Sequence, residues 1–380
     1  MTRIDVATQL ACSAEQAWGL LTDPDLKTIW SAAPFHVEDV GEDDRCDRAG
    51  ALREVEISAP LRTRVHEVVT VADEPHRLDY MVYKGAALLR DHHGRIDIES
   101  TPSGCAVRWT VDVSFTTKLG KIATPTLRRE MEKSLAGLSE QSKLMPPSMP
   151  TPSRRSRPAR PRRSVASVLR PEVDRQLGHQ QMIADEFARV GDPKYWFARG
   201  YVIANEESLA LIDSRVIENP DWLLRVMSTL HRRYVSNLHA YRTGGPISPV
   251  WRAAWALCEE TSARPLALTR VLAGTRAGSR AYMSEDVPAA LAEVWDVDYR
   301  NTRHYKEFRA DFIRLSSVHG TTADRLLAEM PANLVPLPLR LSGVVAPALR
   351  DLVVRRVYYD IEVDRMRAFD RGYDIARRTF

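Results

Sequence analysis

Between Met145 and Ser167 the chain reads MPPSMPTPSRRSRPARPRRSVAS, a stretch that no compact fold can run through. Proline fixes φ and removes backbone donors, while serine and arginine favour water. With no apolar area to bury, the tract reads as an extended, partly polyproline-II-like linker. It divides the 380 residues into a first domain at 1–145, a linker at 146–168 and a second domain at 169–380. Each domain is long enough for its own core. Six arginines lie between Arg154 and Arg163, and removing them from the net charge of +4 leaves −2 for everything else. Such a cluster can touch nucleic acid or acidic lipid. A solvated tether between near-neutral domains is the simpler reading, so no nucleic-acid partner is expected.

Several classes lack their signatures. No run of eighteen apolar residues suggests a membrane span. The opening Met1-Thr2-Arg3-Ile4-Asp5-Val6 carries charge at once and does not read as a secretory signal, so a cytoplasmic location is expected. Cys12, Cys46, Cys105 and Cys258 are scattered without a CxxC pair, which argues against a structural zinc site or a disulfide framework. GxGxxG, P-loop, GxSxG and HExxH are all missing. Neither a metal nor a cofactor is expected.

In the first domain, Arg3 to Leu10 alternates as a strand. Ser13-Ala14-Glu15-Gln16 reads as a capping box opening a short helix that Thr22-Asp23-Pro24 stops. Strand-like runs follow at about 35–40, 50–57, 61–71, 76–84, 87–99 and 104–115, with turn signals at Asp73-Glu74-Pro75 and Pro102-Ser103-Gly104. From Lys118 to Leu144 the period becomes helical, with Leu119, Ile122, Leu127, Met131, Leu135 and Leu138 in a stripe. The pattern predicts one strand, helix, a six-strand antiparallel meander and a long amphipathic helix.

That order resembles the helix-grip family, also called START-like or the polyketide cyclase/dehydrase and lipid-transport superfamily. The local match is SAEQAW-x-LLTDP at 13–24, then Trp30, then DHHGRI at 91–96 and Gly104-x-x-Val107-x-Trp109, covering nearly all of 1–145. The resemblance implies a sheet wrapped around the final helix, with a ligand pocket between them.

Strand alternation then says which side chains face inward. Val107, Trp109, Val111 and Val113 share one apolar face, and so do Ile96 and Ile98. Stepping back by twos through Gly94 places His92, Arg90 and Leu88 on it, although a bulge near Gly94 would exchange His92 for His93. An imidazole can move protons and a guanidinium can hold an enolate or carboxylate, so His92 and Arg90 are candidate catalytic groups. Tyr80 shares the apolar set of Leu78 and Val82 and is a third candidate. Trp30, Ile96, Ile98, Trp109 and Val111 are candidate ligand-lining residues.

The second domain reads as all-α, with helices expected at 171–190, 194–213, 219–242, 249–260, 265–276, 286–295, 302–318, 322–330 and 346–379, making the whole chain α+β. Trp196-Phe197 followed by Tyr201, the segment from Asn219-Pro220-Asp221-Trp222-Leu223 to Arg233-Tyr234, GPISP-x-WR at 245–252, and Pro265-Leu266 leading to GSRAYMSEDVP at 278–288 resemble a helical bacterial family, domain of unknown function 5995. The resemblance covers about 170–330. In that family the last phrase usually reads Ala-His-Ile-Asn-x-Asp-Leu, so Tyr282 stands where a histidine is usual and Ser284 where an asparagine is. Asp286 matches and is a fourth catalytic candidate, with Tyr282 as a ligand-binding candidate. His231 and His239 share a helix but lack the i, i+4 spacing of a zinc pair.

These readings lead to an expected cofactor-free cyclase or dehydratase of polyketide-derived metabolism, acting on an enclosed hydrophobic small molecule by general acid/base chemistry. Two alternatives stand beside it: a non-catalytic carrier of a lipid or secondary metabolite, and a helical domain that itself holds the catalytic site. The helical domain is expected to cap the pocket, form a homodimer or provide a second site.

Overall fold

A computed structural model of the chain describes residues 1–31, 33–57, 63–85, 89–115, 120–145, 164–260, 268–331 and 361–378. Leu88, Lys118, Leu119, Pro265, Leu266, linker residues 146–163 and the start of the last expected helix (346–360) lie outside them. Two compact units emerge, one of Met1–Arg162 with Arg303–Ala310, the other of Arg163–Thr302 with Asp311–Phe380.

The first unit is built on seven antiparallel strands: β1 (Thr2–Leu10), β2 (Phe35–Asp39), β3 (Leu52–Ile57), β4 (Thr63–Asp73), β5 (Arg77–Lys84), β6 (Leu89–Thr101) and β7 (Gly104–Phe115). Their order in the sheet is β1-β7-β6-β5-β4-β3-β2, so the six-strand meander is continuous and the first strand closes onto the last. The turn from β6 to β7 needs Gly104, whose φ is +144° and where a Cβ would meet the Leu10 carbonyl oxygen. Helix α1 (Ala14–Thr22) starts in the capping box, with Gln16 N donating to Ser13 Oγ and Ser13 N donating to Gln16 Oε1. Asp23 ends α1 and at once caps α2 (Pro24–Trp30) by accepting from Asp25 N and Leu26 N, with Pro24 in the first helical position where its missing N–H costs nothing. The stop signal is therefore also a start.

Helix α3 (Gly120–Ser142) packs along β1 and β7. Met131, Leu135 and Leu138 join Ile4, Val6, Leu78, Ile96, Ile98, Val107, Val111 and Val113 in one apolar cluster. This face of the sheet is its inner face. The result is the α+β helix-grip arrangement followed by a helical region.

Residues 303–310 depart from the expected division, which gave them to the helical domain; they belong to the first unit. A single 3₁₀ turn, Tyr305–Phe308, is held by the His304–Glu307 capping box. Lys306 Nζ donates to the Val40 carbonyl at 2.8 Å, and Arg309 Nη1 donates to the Gly50 carbonyl at 2.8 Å. Both cations also pair with Asp39. Gly50 makes this approach workable, because its φ is +83° and a Cβ there would lie 2.2 Å from the Lys306 carbonyl oxygen. The pattern of 302–318 is helical enough to have hidden this, since the signal for seating lies in two charges and a glycine 250 residues earlier.

The second unit contains α4 (Ala166–Arg189), α5 (Lys194–Asp213), α6 (Pro220–Thr243), α7 (Pro249–Glu260), α8 (Leu268–Ala281), α9 (Val287–Val294), α10 (Arg309–Arg314, whose first two residues lie in the first unit), α11 (Ser316–Glu329) and α12 (Ile361–Arg378). Helix α4 begins inside the stretch read as linker, because Ser164 Oγ and Val165 N donate to the Asp221 carboxylate and fix its entry. Two π-helical turns, Tyr282–Asp286 and Trp295–Tyr299, flank α9. No described helix is long and apolar enough to cross a membrane.

Asp39 is about a third exposed, but its two partners are buried, so its removal strands both cations. Asp39→Ala is expected to destabilise the first unit by about 2–3 kcal/mol in urea unfolding. Asp5→Ala, which loses only an exposed pair with Arg108, should cost under about 1 kcal/mol. Equal losses would contradict the seating of 303–310.

Candidate functional site

On the inner face, three neighbouring strands repeat one sequence of surroundings. Along β3 the inward residues are Ala51, Arg53 and Val55; along β4 they are Val69, Glu67 and Val65; along β5 they are Leu78, Tyr80 and Val82. In every triplet the first residue belongs to the main apolar cluster around α3, and the last belongs to a second cluster around Phe35. The middle residue is polar. A polar row therefore crosses the inner face between two apolar regions, with Arg53 and Glu67 directly opposite each other in the strand register.

Burial makes this row expensive, because each charge has lost its water. Arg53 is 1% exposed and Glu67 5%. Arg53 Nη1 and Glu67 Oε1 stand 3.8 Å apart, which is an ion pair without a hydrogen bond. Arg53 Nη2 donates to the Cys46 carbonyl, and Arg53 Nε is buried with no partner among the described residues. Lys27 comes in from α2, its Nζ 4.8 Å from the centroid of the Phe35 ring, while the guanidinium of Arg53 lies 4.6 Å from the same ring. Burial lowers the Lys27 ammonium to about 8 and raises the Glu67 carboxyl, with Lys27 and Arg53 opposing the latter shift.

Tyr80 extends the row across the next strand. It pairs with Gly94, and a Cβ on Gly94 would lie 2.1 Å from the phenol's Cζ. Without a side chain there, the ring lies flat over β6 and reaches Trp109, whose Nε1 donates to the Tyr80 hydroxyl at 3.0 Å. Burial holds the phenol far above its ordinary range, so it stays protonated.

His92 lies opposite Val113 on the inward face, while His93 lies opposite Asp112 and is exposed. The bulge is not at Gly94. It falls between Leu89 and Asp91, so alternation does not carry back from His92 to Arg90. Arg90 sits in β6 by its backbone, and its side chain lies outside the described residues. The His92 ring is 5.9 Å from that of Tyr80, and its Nδ1 is buried with no partner among the described residues. Burial, helped by the neighbouring His93, lowers His92 to about 4, so the imidazole is neutral near pH 7.

Among the apolar candidates, Ile96, Ile98 and Val111 are packed core, and Trp30 is core too, its Nε1 donating to the Leu20 carbonyl. Trp109 differs. It faces inward between Val107 and Val111, which are 0% and 1% exposed, yet stays only partly buried, as does His92.

Tyr282 and Asp286 belong to the second unit. Asp286 accepts from Trp251 Nε1 at 3.1 Å and from Asn237 Nδ2 at 3.2 Å, and burial raises its carboxyl to about 6. Tyr282 packs on an aromatic cluster of Phe197, Tyr201, Tyr234, Trp251 and Trp255. His231 is partnered with His179 of α4 (Nε2 to Nδ1, 3.3 Å) rather than with His239, which is exposed. Among the described residues the metal-ligating types that converge are Glu38, Glu54 and His66, outside the inner-face site.

Arg53, Glu67 and Lys27 were missed by the sequence reading, although two of them left a signal. In LREVEI and TRVHEVVTV a charged residue occupies the same parity as Val55 and as Val65 and Val69. Lys27 left none, because its position depends on how α2 meets Phe35.

The family comparisons divide at the same place as the chain. Residues 1–143 match the family model for polyketide cyclase/dehydrase and lipid transport, and residues 173–367 match that of a family of unknown function, DUF5995. The chain belongs to DUF5995 and carries a START-like domain in front of the matched region. Among solved structures, a START superfamily protein from Mycobacterium smegmatis is 18% identical over 37% of this chain and 97% of its own, with a TM-score of 0.32. A Rhodobacter sphaeroides protein is 21% identical over 38% and 94%, with a TM-score of 0.31. Norcoclaurine synthase from Thalictrum flavum, solved with dopamine and hydroxybenzaldehyde, is 14% identical over 39% and 89%, with a TM-score of 0.31. No curated protein matches the chain.

Two outcomes test the geometry. Gly94→Ala should displace the Tyr80 ring and break the Trp109 bond, costing about 1–3 kcal/mol in urea unfolding; an unchanged stability would contradict the stacking. His92 has a folded value near 4 against about 6.5 unfolded, so the unfolded chain takes up its proton first as pH falls. His92 therefore contributes a loss of stability from about pH 6.5 down to pH 4, up to about 3 kcal/mol, and none above that window. His92→Leu should flatten the profile there.

Proposed function

We propose that the inner face of the first unit encloses a hydrophobic carbonyl compound and catalyses proton transfer on it, as a cyclase or dehydratase does, without a cofactor. The observation that carries this reading is the polar row Arg53, Glu67 and Tyr80 set between two apolar clusters. Charge placed there has no role in packing and is costly to bury, which is the signature of a site rather than of a core.

In the proposed step, Glu67 takes a proton from the carbon beside the ligand's carbonyl. The electron pair moves onto the carbonyl oxygen, and Tyr80 offers that oxygen its O–H, since the phenol oxygen already accepts from Trp109 Nε1. Glu67 is suited to the task because burial raises its carboxyl and so makes its carboxylate a stronger base, while Lys27 and Arg53 act in the opposite sense and favour the ionised form. Neutral His92, its ring 5.9 Å from that of Tyr80, holds a buried Nδ1 with no partner among the described residues. The reaction is completed in one of three ways: Glu67 returns the proton to carbon; the enolate re-forms its carbonyl and expels a β-hydroxyl, which leaves as water with the proton from Glu67; or the enolate carbon attacks a second carbonyl of the ligand, whose oxygen takes that proton.

The test has two parts, both on the full chain. Binding is read with the uncharged fluorophore N-phenyl-1-naphthylamine, whose emission rises in apolar surroundings. Turnover is read as deuterium incorporation from D₂O beside the carbonyl of α-tetralone. Wild type is expected to bind the fluorophore and to accelerate exchange; Glu67→Gln should keep the binding and lose about a hundredfold in exchange. Binding with no accelerated exchange would overturn the catalytic reading and leave a carrier.

A further inference from the structure

The charges around the polar row do not balance. Lys27 and Arg53 are two cations, and among the described residues Glu67 is the carboxylate that interacts with both. Asp47, which also acts on Arg53, is taken up by Arg45, Arg48 and the Nε1 of Trp18, and Glu74 by Arg45 and Arg48. Tyr80 and His92 are neutral. With each acid and base counted in its ordinary ionised form, one positive charge is left over, shared by Arg53, which is buried, and Lys27, which is half-buried.

Donors are left over as well. Arg53 presents a buried Nε–H with no partner among the described residues, and its Nη1 is too far from Glu67 for a hydrogen bond. The Lys27 ammonium has no hydrogen-bond partner among the described residues, and it lies over the face of Phe35. A guanidinium and an ammonium flanking one aromatic ring, with open N–H groups and one uncompensated charge, form a receptor for an oxyanion.

We infer that the ligand carries a carboxylate on its hydrophobic body and that Arg53 and Lys27 receive it. This rests on the reading that the polar row faces the bound molecule, and it narrows the substrate class to hydrophobic acids. The carboxylate completes the charge of the row and anchors one end of the ligand, while its apolar body lies along Trp109 and the main cluster.

The experiment uses the full chain and N-phenyl-1-naphthylamine as reporter, displaced by dodecanoate, by dodecanol of the same length, or by acetate. Dodecanoate is expected to displace the fluorophore at a concentration at least about tenfold below dodecanol, and acetate not at all. The preference for acid over alcohol should collapse in Arg53→Met, and in Lys27→Met if the first variant does not fold. Equal displacement by acid and alcohol in wild type would overturn the inference and leave the hydrophobic site standing. Displacement by acetate at the concentration of dodecanoate would show a site for small anions and overturn it too. Failure of the fluorophore to bind would instead overturn the reading on which the inference rests.

Discussion

The strand-borne candidate groups in the first unit owe their positions to one constraint: in an antiparallel sheet the side chains of successive residues point to opposite faces, and here a helix packs on one of those faces. Because α3 packs along β1 and β7, the inward parity of those strands is filled by Ile4, Val6, Val107, Val111 and Val113, with Trp109 partly buried among them. On β3, β4 and β5 the same parity admits Arg53, Glu67 and Tyr80. A shift of one residue in any of those registers would send its charge to solvent and an outward side chain to the core. The polar row is thus fixed by the same alternation that builds the core, and Gly94 is the one place where a side chain had to be omitted for it.

The cost of the row gives it meaning. A buried pair held at 3.8 Å without a hydrogen bond is a poor way to stabilise a fold, because the interaction repays little of the lost hydration. Apolar residues at both positions would pack the sheet as well. The sheet instead keeps Arg53, Glu67 and Tyr80 between two apolar clusters, with Lys27 of α2 beside them, an arrangement suited to a ligand that is mostly hydrocarbon and acidic at one end.

Much of this was legible before any coordinates. Binary alternation gave each strand of the meander to within a few residues, and Ser13-Ala14-Glu15-Gln16 announced its helix because both halves of a capping box are local. His92 was placed by counting in twos, and that count held because Gly94 carries no bulge. Arg90 was placed by the same count, which one step further on crosses the register shift between Leu89 and Asp91. Backbone irregularity of that kind leaves no mark on hydrophobic pattern. The seating of 303–310 on Asp39 and Gly50 was equally invisible, since contacts between distant segments follow from tertiary geometry. The second unit shows the complementary case: α4 to α7 were readable from their 3.6-residue period, whereas the two π turns around α9 and the division of 302–330 into a 3₁₀ turn, α10 and α11 were not.

The account places the ligand in the first unit, beside a tryptophan that faces inward and yet is not fully buried. Of the eight tryptophans in the chain, Trp109 is the one on that face with its indole N–H bonded to the polar row. The direct measurement is the set of indole N–H resonances in a ¹⁵N-tryptophan sample of the full chain, titrated with N-phenyl-1-naphthylamine and assigned with Trp109→Phe. The account predicts that the Trp109 signal moves progressively while those of Trp251 and Trp255 in the second unit stay in place. Movement of Trp251 or Trp255 with Trp109 unchanged would contradict it and put the binding site in the helical unit.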